Sequence, residues 1–148
     1  MATINRFQDL EAWQLARALN REVYGATARG SFSRDFALRD QIRRASISIS
    51  SNIAEGFGRR SPADFARFLT IAKASAAEVH SQLYLALDLD YLSEEDFGEL
   101  ASGVERVSRV IGGLLSYLRS ARGQAREPDL TYDINPELGT QNPEPTTT

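Results

Sequence analysis

Apolar residues return at helical spacing in four stretches of this chain. Ala12, Ala16, Leu19, Val23 and Ala26 recur at intervals of four, three, four and three, and Trp13 and Leu15 broaden the stripe. That period predicts a helix from Asp9 to about Ala28. Gly25, Gly30 and a serine-rich run then loosen the chain. Leu38, Ile42, Ala45, Ile49 and Ile53 fall on one side of a second helix, expected from about Asp35 to Glu55. Inside it, Ser46-Ile47-Ser48-Ile49-Ser50 alternates like a half-buried strand, and β-branched isoleucine favours that local reading. The longer apolar period runs straight through the window and overrides it. Glu55-Gly56 is expected to stop this helix, because glycine reaches the left-handed conformation of a helix C-cap.

A third helix is expected to open at Ser61-Pro62-Ala63-Asp64, where serine can cap, proline suits the first helical position and aspartate can act as the capping-box partner. Its stripe is Phe65, Phe68, Leu69, Ala72, Ala76, Val79, Leu83 and Leu87. The fourth begins at Ser93-Glu94-Glu95-Asp96, a second capping box with acids against the positive helix N-terminus. Phe97, Leu100, Val104, Val107, Ile111, Leu114 and Leu118 follow in strict three-four alternation. Gly112-Gly113 lies within this helix at a cost of about 1 kcal/mol per glycine relative to alanine. Since the stripe continues past the pair, close approach of another backbone is expected there.

Four amphipathic rods of this length predict an all-α fold, an antiparallel up-down-up-down four-helix bundle over residues 1–122. Residues 123–148 hold four of the five prolines, have no apolar period and end in three threonines, so they are expected to form a disordered acidic tail. A length of 148 residues suits one domain with a core that needs no staple. With no cysteine, no signal-peptide pattern in MATINRFQDL and no apolar run long enough to span a bilayer, the expected location is the cytoplasm, away from the membrane.

The second helix also carries a family pattern. Gln41-Ile42-Arg43-Arg44-Ala45, Ser48-Ile49, Asn52-Ile53-Ala54-Glu55-Gly56 and Gly58-Arg59 resemble the signature of the small bacterial four-helix-bundle proteins encoded in intervening sequences of 23S ribosomal RNA genes. Further matches run from Leu10 and Trp13 through Tyr24, Phe68-Leu69, Ala72, Ser75, Glu78, Gln82-Leu83 and Asp88 to Tyr91-Leu92. The chain departs from the family at Lys73-Ala74-Ser75, where Arg-Gly-Ser is usual, and at Ala37-Leu38-Arg39, where Gly-Leu-Thr is usual. The resemblance implies the bundle, a ring-like homo-oligomer of pentameric size and a genomic link to ribosomal RNA. Some relatives resemble accessory proteins of diversity-generating retroelements, which implies a reverse transcriptase and its RNA as alternative partners.

Charge is unevenly spread. Residues 29–73 carry nine basic side chains against four acidic ones, and residues 78–105 carry eight acids with no lysine or arginine. A basic region beside an acidic one can be two solvated faces, or can favour head-to-tail contacts between copies that close into rings. Arg39, Arg43, Arg44, Arg59, Arg60, Arg67 and Lys73 are the candidate nucleic-acid contacts, read as a stripe that neutralises phosphates without reading bases. Arg59 and Arg60 also precede the third helix's N-terminus, a place suited to an anion. Aromatic residues fall mostly on core positions, and the isoelectric point near 5.2 argues against a strong monomeric nucleic-acid binder.

Catalytic patterns are poorly matched. A di-metal bundle site needs Glu-x-x-His on two helices, and the single histidine, His80, has its nearest glutamate, Glu78, on another face. His80 is therefore read as a solvated or hydrogen-bonded bystander. No thiol or serine triad can be assembled, and Gly56-Phe57-Gly58-Arg59-Arg60-Ser61 lacks both the third glycine and the preceding strand of a dinucleotide fingerprint. Gln41, Asn52, Glu55, Gly56 and Gly58 are read as structural, with Asn52 and Glu55 tying the helix end to the next loop. The sequence thus predicts a non-enzymatic, oligomeric binding module for RNA or a ribonucleoprotein, with no metal and no cofactor. Its alternatives are the retroelement role and a pure protein scaffold.

Overall fold

The computed structural model describes residues 3–122 and the pair Tyr132–Asp133. Among them are four α-helices: α1 (Glu11–Thr27), α2 (Phe36–Gly58), α3 (Pro62–Asp88) and α4 (Glu94–Arg122). Each packs on the next, and α1 also packs on α4, which closes the antiparallel up-down-up-down bundle. A two-residue strand, β1 (Thr3–Ile4), pairs antiparallel with β2 (Tyr132–Asp133), matching Ile4 with Tyr132. No periodicity announces this pairing. The rest of the tail expected over 123–148 lies outside the described residues.

The stripes meet in one core. Every stripe position of the first two helices is buried, as are those of α3 up to Leu83 and those of α4 from Leu100. Leu87 and Phe97, at the α3–α4 end, are only partly covered. The ambiguous run is helical, and its serines explain how. Ser46 donates to Asn20 Oδ1 at 2.7 Å and Ser50 accepts from Asn20 Nδ2 at 2.9 Å, so two serines one turn apart face α1. Ser48 faces the other way and meets Ser75 of α3 at 2.9 Å. Ile49 is buried between them while Ile47 stays exposed. What reads as strand alternation is a helix with polar links to both neighbours.

Capping follows the sequence at two ends. Ser61 Oγ accepts from the Asp64 amide at 3.3 Å with Pro62 in the first helical turn, and Ser93 Oγ accepts from the Asp96 amide at 3.0 Å. The α2 terminus differs from expectation. Helix α2 continues through Gly56 to Gly58, and the left-handed residue after it is Arg60, at φ 59°. Gly56 serves packing instead: a Cβ added there would lie 2.6 Å from Phe68 Cβ and 3.1 Å from a Phe65 ring carbon. At Gly112, one of the pair where a close approach is expected, the nearest atom to an added Cβ is Lys73 Nζ at 3.8 Å, so that residue is not in close contact, and α4 runs through both glycines unbroken.

Candidate nucleic-acid interface

The seven candidate cations divide into three places. Arg39 and Arg43 lie near the start of α2, and Arg59 and Arg60 at its far end, about 30 Å away at 1.5 Å per residue. They therefore do not form one stripe. Arg39 donates to the Ser33 carbonyl at 3.0 Å, pairs with Asp40 at 2.9 Å and lies over the Phe36 ring. Arg43 Nε donates to the buried Thr27 hydroxyl at 2.7 Å, and its guanidinium covers the Tyr24 ring at 4.4 Å. Both fasten α2 to the elements before it. Arg44 is exposed beside them.

At the α2–α3 turn the arrangement is convergent. Arg59 and Arg67 both lie over the Phe68 ring, at 5.3 and 4.7 Å, and Arg60 lies over Phe57 at 5.6 Å. Phe57 meets Phe65 edge to face, so the platform is anchored in the core. Arg59 pairs with Glu55 at 3.2 Å and Arg67 with Asp64 at 3.8 Å, both exposed contacts that hold side chains weakly. The first turn of α3, the positive end of its helix dipole, opens next to this cluster. The sequence points to the arginines but not to their ring supports; Phe57 three residues before Arg60, and Phe68 beside Arg67, are the signals it holds.

The signature residues serve the helices more than the loop. Asn52 Nδ2 donates to the Ser48 carbonyl at 2.8 Å and to Ser48 Oγ at 3.0 Å, supporting the Ser48 to Ser75 link. Glu55 pairs with Arg59, the first residue after α2. Glu55 thus ties the end of α2 to the turn that follows, as expected, whereas Asn52 stays within the helix. Gln41 and Gly58 are exposed. At the opposite end, Tyr91 donates to Asp35 Oδ2 at 2.9 Å while Asp35 Oδ1 accepts from the Leu38 amide, so one carboxylate caps α2 and holds the α3–α4 connection. That hydrogen bond, with lesser help from burial, raises the Tyr91 pKa above its ordinary value.

Lys73 is separate again, on the flank of α3 that faces α4. There it shares a groove with His80, Glu105, Ser108, Arg109 and Gly112. The His80 Nε2 stands 3.9 Å from Glu105 Oε1, and its ring stacks on Tyr84. The separation exceeds a hydrogen bond, so no proton relay is formed. Among the described residues no group of three or more His, Asp or Glu could hold a metal, and no helix is long and apolar enough to cross a membrane.

This is a helical-bundle protein with a ring-braced arginine cluster at one end. The chain belongs to the 23S rRNA-intervening sequence protein family, whose pattern it matches over residues 8–113. It shares its fold with the crystal structure of a protein of unknown function from the S23 ribosomal protein family of Bacteroides thetaiotaomicron VPI-5482: the TM-score is 0.65 at 21% identity, covering 70% of this chain and 97% of that one. None of the curated proteins matches the chain.

Proposed function

We propose that this chain is a non-enzymatic binding module that self-associates and holds structured RNA by its phosphates at the α2–α3 end. The observation that carries the reading is the convergence of Arg59, Arg60 and Arg67 on the Phe57 and Phe68 rings beside the α3 N-terminus. A guanidinium braced on a ring has less freedom left to lose when it meets a phosphate, and the helix N-terminus adds partial positive charge. Such contacts hold a backbone without reading its bases. The family's association with 23S rRNA makes RNA the fitting polyanion.

Self-association is supported by large apolar side chains left on outer surfaces, Ile47 on α2 and Ile71, Leu85 and Leu89 on α3 and just beyond it. Charge along α3 agrees, with Arg67 and Lys73 against Asp64 in its first half and Glu78 and Asp88 in its second. Head-to-tail copies that close into a ring, a pentamer by family resemblance, bring opposite charges together.

Filter binding of a 23S rRNA fragment across a salt series tests the reading. The wild-type chain gives a steep log-log slope, and Arg59→Glu with Arg67→Glu flattens it by roughly 0.9 for each phosphate no longer neutralised, with the oligomer unchanged by light scattering. Absence of binding at low salt, or binding indifferent to the charge reversal, refutes it. Dissociation of the oligomer by the same changes assigns these arginines to the interface between copies and favours a scaffold.

A further inference from the structure

We infer that the groove between α3 and α4 binds a small phosphorylated anion, with Lys73 and Arg109 as its cationic contacts and Ser108 as a hydroxyl donor. The site is distinct from the arginine cluster: Lys73 stands about 16 Å along α3 from Pro62, turned toward α4 and not toward α2. It therefore stands or falls independently of the RNA reading.

The groove has a volume of ≈ 380 Å³. Ala76, Val104 and Gly112 line it with small or apolar surface, so its polarity comes from a few longer side chains, the usual make-up of a small-ligand site. Gly112 matters by what it lacks. A Cβ there would find Lys73 Nζ at 3.8 Å, so the ammonium group overlies bare helix backbone with open space beside it.

The cations are uncommitted. Arg39, Arg59 and Arg67 each have a carboxylate partner, whereas Lys73 and Arg109 have no ion pair among the described residues. Glu105, the carboxylate that lines the groove, is directed at His80. An entering anion thus meets two unpaired positive charges against the single carboxylate of Glu105, whose side chain is largely in solvent. Lysine itself is informative in a chain with sixteen arginines and one lysine. A compact ammonium can be approached from several sides by a small anion, while a planar guanidinium demands a fixed two-point geometry.

Free phosphate and the phosphate of a nucleotide share this chemistry, and a titration separates them. The full chain is titrated with inorganic phosphate and, separately, with adenosine monophosphate, each at ionic strength matched with chloride, while backbone amide shifts are followed by NMR. Saturable shifts at Ala76, Ser108 and Gly112 are expected in the millimolar range. Tighter binding of the nucleotide identifies a phosphorylated metabolite, and equal binding identifies phosphate alone; both uphold the site. Lys73→Ala with Arg109→Ala weakens binding about tenfold or more, Glu105→Gln tightens it about threefold, and Gly112→Leu blocks it by filling the groove while the melting temperature holds. Shifts that fail to saturate, or a Lys73→Ala, Arg109→Ala variant that folds and binds as tightly as wild type, overturn the assignment.

Discussion

Gly56 of α2 and Phe68 of α3 approach so closely that a Cβ on the glycine would lie 2.6 Å from the phenylalanine Cβ. A Cβ moves only with its backbone and cannot give way as a flexible side-chain tip can. Gly56→Ala must push α2 and α3 apart, and overpacking of this kind costs about 1–3 kcal/mol, more than the gain in helix propensity returns. Because the atom in the way is the Phe68 Cβ itself, Phe68→Ala does not rescue the variant. Urea denaturation of both variants and the pair checks this; a stable Gly56→Ala protein would contradict the close approach.

Gly112 predicts the opposite sign. Its helix is regular, and an added Cβ meets only the Lys73 ammonium at an ordinary 3.8 Å. Gly112→Ala should therefore stabilise the bundle by about 0.5–1 kcal/mol by restricting the unfolded chain. Thermal unfolding of the two glycine variants side by side distinguishes a packing glycine from a tolerated one.

The adjacent arginines of α2 divide in the same way. Arg43 fills a structural place, donating to Thr27 Oγ1, which in turn donates to the Val23 carbonyl at 2.7 Å, and covering the Tyr24 ring. Arg43→Ala leaves the buried threonine hydroxyl without its donor and removes a cation–π interaction, destabilising the bundle by about 1–2 kcal/mol. Arg44, exposed on the next position, should change stability by less than about 0.5 kcal/mol when replaced by alanine. Chemical denaturation of the two single variants checks the contrast, and equal losses would refute it.

These pairs show where the sequence is sufficient. Apolar period carries the fold, since burying a stripe is what a helix in a bundle does, and it correctly overrides the Ser-Ile alternation at residues 46–50. Local propensity is a poor guide to glycine. It points to Gly56 as the end of α2, but the need for close contact with Phe68 holds that residue inside the helix, and Arg60 takes the left-handed position instead. The site is legible as residue types and not as an arrangement. Spacing along α2 separates Arg39 and Arg43 from Arg59, but it does not show that the first two brace neighbouring elements while Arg59 and Arg67 gather on the Phe68 ring. Lys73 and Arg109 meet only because α4 folds back along α3 as its neighbour, and their residue types alone do not show it.

Glu11, at the start of α1, predicts how stability depends on pH. Its Oε2 is buried without a hydrogen-bond partner, and burial raises its pKa above the ordinary 4.5 despite the opposing pull of Arg106. A carboxyl whose folded pKa is raised holds its proton more tightly in the native state than in the unfolded one. Its contribution therefore falls as pH rises from 4.5 through the raised value, and remains unfavourable above it. Glu11→Gln removes the charge and with it that penalty. The variant should melt at a higher temperature than wild type at about pH 7, and the difference should vanish at about pH 3, where both side chains are neutral. Thermal melts across that range decide the matter, and a variant less stable at neutral pH would show that attraction to Arg106 outweighs burial.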